Sequence, residues 1–168
     1  MTKSVVLTGF MGSGKTTVGK IAAKKLSWPF IDADHEIEQE FGMPATEIFK
    51  TLGEAVFRQE EKSLITKLSA KESTVISLGG GAFLQREIRD VCMANCTVVY
   101  LDISWEAWKN RMPFLISTRP VLQGLTVSQM EELYYKRIEF YTYYHFRISM
   151  DSLDAEEAGN KIAALIRK

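Results

Sequence analysis

The stretch GFMGSGKT, Gly9 to Thr16, fits the pattern G-x-x-x-x-G-K-[ST] without adjustment. Its chemistry is anion capture. Glycines let successive backbone N–H groups turn toward one point, and the N-terminus of a following helix adds its dipole. Gly12, Ser13, Gly14 and Thr17 belong to that cradle. Lys15 is set to reach the β- and γ-phosphates of a nucleoside triphosphate, and the Thr16 hydroxyl to ligate Mg²⁺. The motif has meaning only between a strand and a helix. SVVLTG at 4–9 reads as the strand. Val18, Ile21, Ala22 and Leu26 give the following segment an apolar helical face.

Further patterns supply what a phosphoryl acceptor needs. FIDAD ends in Asp32 and Asp34, two apart, so both are expected on one face of a strand. One carboxylate suits Mg²⁺ through water and the other the proton of an attacking hydroxyl; alternatively, one of them caps the next helix. In GEAVFRQEEKSL, Arg58 lies four residues after Glu54 and three before Glu61. That spacing fits either a solvated ion-pair ladder or a guanidinium held by Glu61 and aimed at a substrate carboxylate. Arg137 falls inside an apolar stripe of Met130, Leu133, Tyr134, Ile138, Tyr141 and His145, on a helix expected from about Thr126 to His145. A charge there needs an anion, either a structural carboxylate or a ligand. TVISLGGGA runs a strand into Gly79, Gly80 and Gly81. The missing side chains suit a flat floor for a ring-shaped acceptor, or merely a tight turn. Arg119, in ISTRPVL, is placed to neutralise a transferring phosphoryl group once water is excluded. Arg111 is assigned to stack on adenine.

These residues must be carried by strands whose ends face one crevice. Five β-type runs meet that need: SVVLTG at 4–9, PFIDAD at 29–34, TVISLG at 74–79, TVVYLD at 97–102 and FRISM at 146–150. Most are continuously apolar rather than alternating, which suits a parallel sheet covered on both faces. Helical segments separate them, so the expectation is one three-layer α/β domain over 1–168. An acceptor region is expected at about 33–61. A lid is expected at about 112–123, where prolines interrupt any helix.

The rest of the chain narrows the class. Twenty-one basic and 21 acidic residues balance, which weighs against non-specific nucleic-acid binding. No apolar run is long enough to span a membrane, and no signal-peptide pattern opens the chain, so a cytoplasmic location is the default expectation. Cys92 and Cys96 read as reduced thiols. No D-x-x-G follows a later strand, and Asn160-Lys161 leads into Ile162 and Ala163 rather than a guanine-reading aspartate. That sets aside a regulatory GTPase and leaves a small kinase.

GFMGSGKTTVGK, FIDADHEIE, EIFKTLGEAVFRQEE, SLGGGA, RPVL and RIEFY, taken together and in order, resemble the shikimate kinase family over essentially the whole chain. The resemblance implies a nucleoside-monophosphate-kinase-like fold with a five-stranded parallel sheet of order 2-3-1-4-5. It implies Mg-ATP-dependent phosphorylation of the shikimate 3-hydroxyl, within chorismate and aromatic amino-acid biosynthesis. Asp34 would hold that hydroxyl, with Arg58, Gly80 and Arg137 also holding shikimate and the two arginines taking its carboxylate. Lys15 and Arg119 would serve the phosphates; Thr16 and, more remotely, Asp32 would serve Mg²⁺. ATP and shikimate are then the expected partners of a monomer, with no nucleic acid and no membrane. The chain departs from the family pattern at Glu139, where proline is frequent, and at His145, where alanine is common. MDSLDAEEAG lacks an arginine near adenine, and MPFLIST is unusually apolar, so Phe114, Leu115 and Ile116 are expected to pack over the closed site or onto a neighbouring molecule. A kinase for another small polyol acid such as gluconate, and a nucleotide-binding module without catalysis, are the alternatives.

Overall fold

A computed structural model describes residues 2–168. At its centre is β1 (Val5–Thr8), whose four side chains are all buried. It pairs in parallel with β3 (Val75–Ser77) on one side and β4 (Thr97–Asp102) on the other, so that Val6 sits between Ile76 and Val98. β2 (Phe30–Asp32) lies outside β3, and β5 (Phe146–Ser149) outside β4. The order is 2-3-1-4-5 with every pairing parallel, as expected.

The helices follow from the direction of each crossover. From β1 to β2 the chain moves toward one edge; the later crossovers all move the other way. Right-handed connections therefore place α1 (Lys15–Leu26) on one face, and α4 (Glu54–Ser69) and α5 (Arg86–Asn95) on the opposite one. α8 (Ala155–Ile166) packs on α1, and α4 packs on α5, which closes the two outer layers. α2 (Ala33–Phe41) and α3 (Ala45–Thr51) fold with α4 around a small core of Ile37, Ile48 and Phe57. α6 (Trp105–Arg111) and α7 (Val127–Ile138) complete the set.

Three local expectations are corrected. β2 ends at Asp32, so Asp34 lies in the first turn of α2 rather than on the strand. α7 ends at Ile138, tightens into a 3₁₀ turn over Glu139–Thr142, and never reaches His145. Pairing with β4 demands extended backbone there: the His145 N–H donates to the Val98 carbonyl, and its Nδ1 accepts from the Val98 N–H at 2.9 Å. Finally, Phe114 in the apolar segment at 112–123 is 82% exposed rather than packed over the site, which leaves for it the reading of packing onto a neighbouring molecule, whereas Leu115 and Ile116 pack on the core. That segment consists of short 3₁₀ turns at Met112–Phe114, Ile116–Thr118 and Pro120–Leu122, anchored by fully buried Leu122.

Candidate active site

Strand order decides which residues meet. β3 lies between β1 and β2, so the glycine turn after β3 sits between the phosphate loop and the carboxylates after β2. The three tips border one cavity of about 430 Å³. Gly12, Gly14, Lys15, Thr16 and Thr17 line one wall. Asp32, Asp34 and Arg58 line another, Gly79, Gly80 and Gly81 the floor between, and Arg119 and Arg137 close it.

The phosphate loop is braced from behind. Gly14 takes φ 101°, a left-handed conformation that glycine adopts without a Cβ clash, and so opens α1. The Trp108 indole N–H, on α6, donates to the Met11 carbonyl at 2.8 Å. Arg111, at the end of α6, donates from Nη1 to the Gly12 carbonyl at 2.8 Å and lies beside Gly14 and Met150, outside the cavity. Lys15 folds back onto the Gly9 and Phe10 carbonyls, at 2.9 and 3.1 Å. Burial, and then the charge of Arg119, push its ammonium down to about 7, against the pull of Asp34 and Asp32. Ser13 is buried, with its hydroxyl oxygen unpartnered among the described residues.

The two carboxylates have separate duties. Asp32 accepts from the Thr16 hydroxyl at 2.7 Å through Oδ2 and from the His35 N–H at 3.2 Å through Oδ1. It therefore caps α2, as the capping reading expects, and faces the phosphate loop at once. Among the described residues, no group of three or more His, Cys, Asp or Glu side chains could hold a metal. One hydroxyl and one carboxylate form the sparse, hard-oxygen set that suits Mg²⁺ kept mainly by water and phosphate. Asp34 is different. Its Oδ1 is buried without a hydrogen-bond partner among the described residues. Burial and the neighbouring Asp32 raise its pKa, against Arg119, Lys15 and Arg58.

The glycine turn owes its composition to these neighbours. None of Gly79, Gly80 and Gly81 lies in the left-handed region, so turning does not require them. A Cβ on Gly79 would stand 2.4 Å from Asp34 Oδ1, and one on Gly81 2.4 Å from Arg58 Nη2. At Gly80 it would press on the Met11 backbone at 3.1 Å. Space is thus cleared first for the site's own charged groups and the phosphate loop. Tyr141 adds a restraint: its buried hydroxyl donates to the Gly80 carbonyl.

Both arginines are placed for an anion. Arg58 donates to Glu61 at 2.9 Å and to Glu54 at 3.3 Å, with its guanidinium 5.4 Å from the centre of the Phe57 ring. Burial works against its charge, but Glu61 and Glu54 outweigh it and raise its pKa. Glu61 is 0% exposed, which rules out a solvated ladder on that side. Burial lifts its carboxyl to about 7 despite Arg58. Arg137 is 6% exposed, and its guanidinium makes no hydrogen bond or ion pair with the described residues. Burial lowers its pKa. Among the described residues no carboxylate lies within ion-pair distance of it, so the expectation of a structural carboxylate partner is not met. Arg119 projects into the cavity from the lid, its Nε buried and unpartnered among the described residues.

Sequence reasoning missed three contributors. Trp108 and Gln85 carried no local signal, because their roles are contacts with chain far away. Tyr141 was visible only as a member of an apolar stripe, although its position four residues after Arg137 placed it on the same face.

The shikimate kinase family model matches residues 11–167. A shikimate kinase from Oceanobacillus iheyensis is 47% identical over 98% of this chain and 90% of its own. A shikimate kinase from Acinetobacter baumannii in complex with shikimate superposes with a TM-score of 0.91 at 32% identity, covering 99% of this chain and 94% of that one. A gluconokinase from Sinorhizobium meliloti shares the fold alone, with a TM-score of 0.56 at 19% identity over 98% of this chain and 94% of that one.

Two outcomes are expected from this geometry. Gly79→Ala drives its new methyl into Asp34; steady-state kinetics should show kcat/KM about 10²-fold lower, with thermal unfolding little changed. Glu61 binds a proton more readily folded, near pH 7, than unfolded, near the ordinary 4.5. Its stabilising share is complete below about pH 4.5 and lost as pH rises through about 7. Denaturant unfolding of Glu61→Gln beside the parent, at pH 5 and pH 8, should therefore shift in the variant's favour by on the order of 2 kcal/mol at the higher pH.

Proposed function

The chain belongs to the shikimate kinase family, and from that premise we propose that shikimate lies on the glycine turn, its carboxylate on Arg58 and Arg137 and its 3-hydroxyl at Asp34. The activity is ATP-dependent phosphorylation of shikimate, a step of aromatic amino-acid biosynthesis. The observation that carries the placement is the pair of arginines. One is presented by a buried glutamate; the other is buried with no carboxylate of its own among the described residues. A planar carboxylate satisfies both through charge-assisted hydrogen bonds.

The phosphate side follows from the loop. Backbone N–H groups of Gly12, Ser13, Gly14 and Thr17 cradle the triphosphate, and Lys15 leaves the Gly9 and Phe10 carbonyls for the β- and γ-phosphates. Thr16 and, more remotely through water, Asp32 would hold Mg²⁺, which when bound would neutralise phosphate charge. The 3-hydroxyl oxygen forms a bond to the γ-phosphorus as the bond to the β–γ bridging oxygen breaks, and ADP leaves. Asp34 Oδ1 holds the hydroxyl and takes its proton; a carboxylate made more basic by burial suits that role. Arg119 supplies positive charge at the transferring group, while its lid excludes water. Arg111, beside Gly14 and Met150, borders the adenine end. The protein acts as a monomer in the cytoplasm in this reading.

A coupled ADP-release assay with shikimate, gluconate and quinate tests the substrate. Turnover on shikimate is expected, and turnover on gluconate alone would overturn the assignment. Asp34→Asn should lower kcat by at least about 10²-fold with a smaller change in KM. A rate near that of the parent would remove Asp34 from the chemistry.

A further inference from the structure

Gln85 lies where the glycine turn gives way to α5, as the residue that caps that helix. Its side chain points away from α5 and into the base of α4. Nε2 donates to the Arg58 backbone carbonyl at 3.1 Å and to Glu61 Oε1 at 3.0 Å. The same Glu61 oxygen accepts from Arg58 Nη1 at 2.9 Å. Glu61 Oε2 is buried and has no partner among the described residues. Within that set, the carboxylate that aims Arg58 is thus held by two donors, one of them Arg58 itself. Gln85 is the neutral one, and it ties the chain after the glycine turn to Glu61 across 24 residues and to the Arg58 carbonyl across 27.

We propose that Gln85 is a positioning residue for substrate binding, holding the Glu61 carboxylate that aims Arg58 at the acceptor. This rests on the reading of Arg58 as a ligand of the shikimate carboxylate. A hydrogen bond to an ionised carboxylate favours the ionised form, and an ionised Glu61 anchors the guanidinium far better than a neutral one. The surroundings make that support matter. Asp34, from α2, pushes Glu61 toward its neutral form, as burial does. Arg58, on α4, pushes the other way, and Glu54 on the same helix competes for Arg58. Arg137, from α7, faces the same group of charges. α5 offers no replacement donor: Arg89 bonds the Phe83 carbonyl and stacks on Phe140 and Tyr143. On α3, Glu47 and Lys50 are exposed.

Loss of the Gln85 donor raises the pH at which Glu61 takes up its proton. The defect therefore grows as pH falls, and it falls on shikimate rather than ATP. The test compares Gln85→Met, which keeps the length and removes the donor, with Gln85→Ala and the parent from pH 6 to pH 9. KM for shikimate should be about tenfold higher near pH 6.5 and converge to within about twofold of the parent near pH 8.5. KM for ATP should stay within about twofold throughout. Shikimate binding followed by tryptophan fluorescence over the same range gives the same answer without turnover. An unchanged KM for shikimate overturns the proposal. So does a rise by one constant factor at every pH, or a parallel rise for ATP, because each describes a merely structural residue. Arg58→Ala in the same series separates the two claims. If it leaves KM for shikimate unchanged, the carboxylate reading has failed and takes this proposal with it. If it raises KM while Gln85→Met does not, only the role of Gln85 is lost.

Discussion

The close approach of Asp34 and Arg58 to one turn is the constraint on which the site depends. A carboxylate and a guanidinium come together over Gly79, Gly80 and Gly81 because those residues offer no β-carbons to block them. Alanine at either end would occupy space already taken by a charged atom 2.4 Å away. A chain of close contacts then continues in both directions. Gly80 lies against the Met11 backbone of the phosphate loop, and its carbonyl accepts from Tyr141, which follows Arg137. The turn is the shared floor between the phosphate loop and the wall that Asp34 and Arg58 form.

Preorganisation here is electrostatic and costs stability. Lys15, Asp34, Glu61 and Arg137 are charged or chargeable groups taken out of water, and burial is the first cause of every shift they show. In an ordinary core each would be paired or replaced. Here several polar atoms are left unanswered among the described residues: Asp34 Oδ1, Glu61 Oε2 and Arg119 Nε. In the proposed placement, the shikimate hydroxyl answers Asp34 and the phosphates answer Arg119. Binding energy is thereby directed to the atoms that react.

The two halves of the site are held with different stiffness. The phosphate loop is fixed by α6 through Trp108, which lies fully buried in a stack with Trp105 and edge-on to Phe10. The acceptor side rests on a smaller core of Ile37, Ile48 and Phe57, shared by three helices. The lid is tied down at Leu122 and touches Gly12 through Leu115, yet its 3₁₀ turns contain few buried side chains. That segment therefore buries less apolar surface than the helices around it.

The strand runs, the phosphate loop and the types of the acceptor residues were legible from the chain, because each is a local pattern. A loop that binds phosphate needs glycines and a lysine in sequence, and a buried strand needs a continuous apolar run. The stripe around Arg137 showed a buried charge, and the order of motifs showed the family. What spacing could not supply was any distance between elements. The insertion of β3 between β1 and β2 brings the glycine turn beside both other tips. The end of β2 at Asp32 makes Asp32 the cap of α2 and puts Asp34 in that helix's first turn, with both lining the cavity. Whether Arg137 meets a carboxylate, what the glycines make room for, and how Gln85 reaches Glu61 are facts of packing between residues remote in sequence. Local chemistry is written in neighbouring residues, whereas the sharing of space by distant ones exists only once the chain has folded.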